Sequence, residues 1–142
     1  MDVRSVMTAT PAFCTTDTPL RDVSRMMADN DCGLIPVVDA TNAPIGVVTD
    51  RDIAVRIVAQ GRDANSARAA DCMSTPVTTV TEDSGLTECC EAMETQQVRR
   101  VPVVDAGGKL CGIVSLADVA LSSGRDQKIA EVVKHVSEPT QH

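Results

Sequence analysis

Gly46-Val47-Val48-Thr49-Asp50-Arg51-Asp52 returns later in the chain as Gly112-Ile113-Val114-Ser115-Leu116-Ala117-Asp118. In both stretches a glycine precedes two aliphatic residues, then a hydroxyl residue, then an acid three positions further on. The aliphatic pair reads as the end of a strand, and the hydroxyl stands where a helix begins. A Ser or Thr followed three residues later by an acid is close to a capping box. There the side-chain oxygen closes free backbone N–H groups and the acid closes the N–H of the hydroxyl residue. The same placement gathers a hydroxyl, a carboxylate and a helix N-terminus at one edge. A carboxylate can accept two bonds from a vicinal diol, and a helix N-terminus favours phosphate. Cap and ligand site can coexist.

Outward from this motif the repeat extends over most of the chain. Val3–Ala54 aligns with Ala69–Ala120 without a gap, and about 14 of the pairs are identical. Pro36-Val37-Val38-Asp39-Ala40 falls on Pro102-Val103-Val104-Asp105-Ala106, Met7 on Met73, Leu20 on Leu86 and Met27 on Met93. Each copy opens with a short segment ending near Met7 or Met73, then a Pro-containing loop and a brief extended run, Phe13–Thr15 or Thr78–Val80. A helix follows, with Leu20, Val23, Met26, Met27 and then Leu86, Cys89, Cys90, Met93 at the spacing of one buried face. Two strands come next, Ile35–Val38 with Ile45–Val48 and Val101–Val104 with Leu110–Val114. Their turns, Thr41–Pro44 and Ala106–Lys109, have good turn chemistry. A second helix starts after Thr49 or Ser115.

The order is thus β-α-β-β-α, twice: an α/β (α+β) chain of tandem repeats packed with pseudo-twofold symmetry. The first repeat is expected over 1–60, a polar linker over 61–68, the second repeat over 69–124 and a C-terminal helix and tail over 125–142. The tail carries Ile129, Val132, Val133 and Val136 on one side, a stripe that covers the core or meets a partner. A copy of about 60 residues is marginal alone. Packing the two sheets together, with a cleft on each side of the shared interface, relieves this.

Composition narrows the function. The chain has 142 residues, 43% hydrophobic, with Phe13 as the only aromatic and a net charge of −7. It lacks the basic face and stacking aromatics of a nucleic-acid binder. No stretch approaches the roughly 18 apolar residues of a membrane span, and the first residues lack a signal-peptide core. A cytoplasmic location is the expectation. The six cysteines form no CxxC pair, and both histidines, His135 and His142, stand near the C-terminus. Such cysteines read as small buried apolar residues rather than metal ligands or redox centres. No paired acid–base set or phosphate loop appears, so catalysis is not expected.

The duplicated pattern resembles the CBS-domain family: V-M-T or C-M-S at the start of each copy, then I/V-P-V-V-D, then G-h-V-T/S-x-x-D. TDRDIAVR and QVRRVPVVD are similar to segments of the small stand-alone CBS pairs (Bateman modules) of bacteria, including the hypoxic response type. The resemblance covers nearly the whole chain except the last helix.

It implies a sensor that binds an adenosine-containing ligand (AMP, ADP, ATP, NAD or S-adenosylmethionine) between the repeats and modulates an effector protein in trans. Asp52 and Asp118 would hold the ribose hydroxyls, with Thr49 and Ser115 beside the sugar or phosphate. Ile35-Pro36 and Val101-Pro102 would line the adenine slot. Candidate phosphate ligands are Arg99 and Arg100, which replace Gly33 and Leu34 of the first copy, and Arg51 and Arg56 around the first motif. That asymmetry predicts two unequal sites. Ordinary arginines paired with the many acids are the plain alternative. The resemblance also implies a homodimer. The competing reading is a ligand-free homodimeric scaffold or stress protein that keeps the fold.

Overall fold

The structure is a computed structural model and describes residues 1–123 together with 134 and 136. The chain forms two compact units, and they do not coincide with the two sequence copies. One holds Ala12–Val77 with Gly108–Leu110; the other holds Met1–Pro11, Thr78–Gly107 and the described residues from Cys111 onward. Each unit therefore takes its opening segment from the other copy.

The elements in chain order are β1 (Thr8–Ala9), α1 (Leu20–Asn30), β2 (Leu34–Val38), β3 (Pro44–Thr49), α2 (Asp50–Ile53), β4 (Val80–Thr81), α3 (Leu86–Gln96), β5 (Arg100–Val104), β6 (Leu110–Ser115) and α4 (Leu116–Ser123). Short 3₁₀ turns at Val3–Ser5 and Ala69–Asp71 occupy matching places at the start of each copy. The helix and strand positions read from the sequence agree with this order to within a residue or two. Two details differ. The run Phe13–Thr15 shortens to a single parallel bridge between Cys14 and Val37, and α2 continues as a π-helical segment, Ala54–Val58.

In the unit containing β1, four strands run in the order β1-β6-β5-β4. Thr8 pairs with Ile113 and Val80 with Val103. The other unit repeats the register in reduced form. Antiparallel β2 and β3 are flanked by single bridges, Ser74 to Val47 and Cys14 to Val37. These are the same pairs moved by one repeat.

The glycine of each motif explains how the exchanged segment fits. A Cβ on Gly46 would lie 3.0 Å from the Ser74 carbonyl oxygen and 3.1 Å from Thr75 Cγ2. A Cβ on Gly112 would lie 3.1 Å from the Thr8 carbonyl oxygen and would collide with Met7 Sδ. Glycine is required because another backbone lies against the strand.

Each unit has its own core. Leu20, Val23, Ile35, Val37, Val48 and Ile57 anchor one, and Cys89, Met93, Val101, Val103, Val114 and Val119 anchor the other. Fully burying such a side chain contributes about 1.5–3 kcal/mol, which is how aliphatic residues serve in a chain with one aromatic. That aromatic, Phe13, is 48% exposed.

The linker is packed rather than loose. Helix α1 begins after Pro19 with no side-chain cap, and its first N–H groups donate instead to linker carbonyls, Leu20 to Ala67 at 2.9 Å and Arg21 to Ala64 at 3.2 Å. Most of the tail helix expected from Arg125 to Val136 lies outside the described residues. Val136 itself is buried in the core of the unit holding β5 and β6.

Candidate functional site

Both motifs place a hydroxyl and a carboxylate at a strand-to-helix junction. At the end of β3, Asp52 N–H donates to Thr49 Oγ1 at 3.0 Å, and Thr49 N–H donates to Asp52 Oδ2 at 3.0 Å. After β6, Asp118 N–H donates to Ser115 Oγ and Ser115 N–H donates to Asp118 Oδ2, both at 3.0 Å. Two reciprocal capping boxes are thus present. Each leaves one carboxylate oxygen, Oδ1, outside the reciprocal pair.

The surroundings of that oxygen differ between the units. Asp52 is 9% exposed, and Ser74 Oγ donates to its Oδ1 at 3.2 Å and Oδ2 at 3.3 Å. The Arg56 guanidinium stands 3.8 Å from Asp52 Oδ1, and its Nη1 also donates to the carbonyls of Cys72 and Met73, each at 3.3 Å. Burial first, and then the Asp52 carboxylate, push the Cys72 thiol pKa up. Asp118 is half-buried, and among the described residues its Oδ1 has no protein partner.

The remaining candidates divide cleanly. Ile35 and Val101 are each 1% exposed and belong to the two cores, Ile35 pairing with Val48 across β2 and β3. Pro36 and Pro102 are buried beside them. Arg99 is exposed, and its carbonyl accepts the Leu116 N–H at 2.8 Å, so it stands at the start of α4; Gly33 does the same for Asp50 at 3.0 Å. Arg100 opens β5. Among the described residues neither Arg99, Arg100 nor Arg51 joins an ion pair, whereas Arg56 is paired with Asp52.

Thr49, Asp52 and Arg56 therefore come together in one unit, and Ser115 and Asp118 in the other, with the Arg99 carbonyl closing the first turn of α4. Sequence reasoning missed Ser74. Its signal was present, since the repeat aligns Ser74 with Thr8, a hydroxyl in both opening segments.

No disulfide links any of the six cysteines. Burial pushes Cys14 up to about 11 and Cys89 up to about 12. Among the described residues no group of three His, Cys, Asp or Glu side chains could hold a metal ion. Nor, among them, is any helix long and apolar enough to cross a membrane.

Comparison with known proteins matches residues 3–59 and 69–123 to the CBS domain. An uncharacterised protein of Methanopyrus kandleri is 36% identical over 116 residues, 82% of this chain, which spans 57% of that relative's length. The CBS domain-containing protein YhcV of Bacillus subtilis is 31% identical over 99% of this chain and 98% of its own. Hypoxic response protein 1 of Mycobacterium tuberculosis is 32% identical over 84% and 82%.

Among solved structures, hypoxic response protein I with two coordinated zinc ions superposes with a TM-score of 0.79 at 31% identity, covering 85% of this chain and 98% of that one. More distant folds include CBSX2 in complex with AMP (TM-score 0.73, 22% identity, 87% and 96% covered). Another is a CBS domain pair with 5′-methylthioadenosine and S-adenosyl-L-methionine (TM-score 0.76, 24% identity, 89% and 98% covered).

Proposed function

The chain belongs to the CBS-domain family, and from that premise we propose that it is a regulatory module that binds an adenosine-containing small molecule and reports on it to a partner protein, rather than an enzyme. The observation that carries this reading is the duplicated hydroxyl–carboxylate pair at a helix start, with Asp118 Oδ1 unengaged among the described residues. Asp118 accepts the ribose diol, Ser115 lies beside the sugar, and the main chain at Val101-Pro102 meets the base. Arg99 and Arg100, in no ion pair among the described residues, supply the fork for a phosphate. Thr49, Asp52 and the main chain at Ile35-Pro36 form the counterpart in the other unit, with Arg51 and Arg56 as its cations. Two distant relatives by fold were solved with adenosine compounds, which supports this ligand class. Cysteines without disulfides fit a reducing compartment such as the cytoplasm.

A homodimer belongs to the same reading. Val55 and Leu121 occupy matching positions of the two copies and are 45% and 87% exposed, with Val58 at 66%. A repeated apolar patch is suited to a self-complementary interface.

One observation favours a second reading, a ligand-free dimeric scaffold: the capping boxes already give both acids a structural role. Thermal unfolding with AMP, ADP, ATP, NAD and S-adenosylmethionine separates the two. A ligand at about 100 times its Kd adds about 2.7 kcal/mol, which raises the midpoint by roughly 5–10 °C. The rise disappears in Asp52→Asn with Asp118→Asn, which keeps a carbonyl acceptor for each cap. No shift with any of the five, repeated by calorimetry, leaves the scaffold.

A further inference from the structure

Asp52 and Asp118 hold equivalent places in the two copies, but the protein has already engaged one of them. Asp52 receives one bifurcated bond from the Ser74 hydroxyl and an ion pair from Arg56, and both of its oxygens are engaged. Asp118 offers Oδ1 with no protein partner among the described residues. The residue four beyond Asp118 is Ser122, exposed and uncharged, where the first copy has Arg56. A diol entering at Asp52 must displace contacts that the opening segment and the helix already make; at Asp118 it displaces water.

We infer that the two sites fill in order, Asp118 first, and that Arg56 is an internal competitor that holds the Asp52 carboxylate against the ligand diol. This rests on the ribose-binding reading and adds to it the order of filling and its cause in the contacts of Asp52. Arg56 is suited to the role by its second attachment. Its Nη1 bonds to the carbonyls of Cys72 and Met73, the two residues before Ser74. Arg56 and Ser74 therefore reach Asp52 from one anchored assembly, and ligand entry at Asp52 loosens both from the carboxylate together. Occupation of the second site would thereby release the opening segment from Asp52, whereas occupation of the first leaves that assembly intact.

Adenosine is the probe, because without a phosphate it gives Arg56 no anion to bind and isolates competition from attraction. Titration calorimetry of the intact chain should show one event per chain before a second, weaker one. Asp118→Asn should weaken the first by about tenfold or more, the range of a hydrogen bond to a charged group, and Asp52→Asn should leave it in place. In the Asp118→Asn background, Arg56→Ala should tighten adenosine by about two- to fivefold, the range of a part-exposed ion pair.

The same Arg56→Ala change should lower the melting midpoint, since two carbonyls lose their donor. A merely structural arginine would lower affinity and midpoint together, and that result overturns the inference. Arg56→Gln retains an amide donor for the carbonyls and should tighten binding without the loss of stability. Loss of the first event in Asp52→Asn, with Asp118→Asn unaffected, overturns the order while leaving ribose binding intact. A chain that binds no adenosine overturns both.

Discussion

Gly46→Ala tests the packing of the exchanged segment against β3. The new methyl group would stand 3.0 Å from the Ser74 carbonyl oxygen, 3.1 Å from Thr75 Cγ2 and 3.4 Å from Met73 Sδ. Met73 can move its flexible side chain, but the Ser74 carbonyl cannot move freely. It accepts the Val47 N–H at 3.1 Å while Ser74 N–H donates to the Val47 carbonyl at 2.8 Å. Relief must come from separating two bonded backbones by a few tenths of an ångström. Overpacking of this kind costs about 1–3 kcal/mol, offset by about 0.4–1 kcal/mol from the lower entropy of the unfolded alanine chain. The middle of the two ranges gives a net loss of about 1.3 kcal/mol. Urea unfolding followed by far-ultraviolet circular dichroism suits a chain without Trp or Tyr. Gly85→Ala is the control, since nothing lies within 4 Å of its new methyl and its φ of −70° is ordinary; it should fall within about 0.5 kcal/mol of wild type. A Gly46→Ala protein as stable as the Gly85→Ala control would refute the close-approach account of this glycine.

Other consequences can be measured alongside. Helix α1 ends on Asp31 at φ 49°, a left-handed residue with a side chain, so Asp31→Gly should stabilise by up to about 1 kcal/mol in the same unfolding assay. Thr49→Ala and Ser115→Ala each remove a helix cap and should each cost about 0.5–2 kcal/mol, read as a lower melting midpoint without ligand. Cys14 and Cys89 have folded pKa values raised from 9.0 to about 11 and about 12. Their contribution to stability is fully present below pH 9 and is lost as pH rises through 11 and 12. Chemical unfolding at pH 8 and pH 10.5 should therefore show the protein weaker at the higher pH, and iodoacetamide at pH 8 should spare both thiols until it unfolds.

The duplication made most of the fold legible. A single hydrophobic period leaves helix and strand ambiguous for short runs, but two copies must satisfy the same assignment, which is why α1 with α3 and the two strand pairs fall where the periodicity puts them. Thr49, Asp52, Ser115 and Asp118 were legible for the same reason, their spacing being local and repeated. Arg56 was legible as a residue four positions beyond Asp52, one helical turn on. Ser74 was not, because it reaches Asp52 by a pairing between segments far apart in sequence, and local spacing carries no such information. The same limitation hid the exchanged opening segments, although Gly46 and Gly112 marked where a second backbone comes close. The π-helical turn at Ala54–Val58 has no sequence signal that we can identify.

The exchange of opening segments also sets an order of events during synthesis. The unit built on β2 and β3 draws almost all its residues from 12–77, so its sheet and helix can assemble while the second copy is still being made. The other unit cannot finish in that way, because Thr8 and Ala9 must pair with Ile113 and Gly112. At roughly 5–20 residues per second, Thr8 and Ala9 wait on the order of 5–20 s for their partner strand to leave the ribosome. During that interval Val3, Val6 and Met7 are apolar side chains without their core. Val3, Val6 and Met7 are thus among the last residues to be buried, and the most open to a chaperone or a protease until β6 arrives.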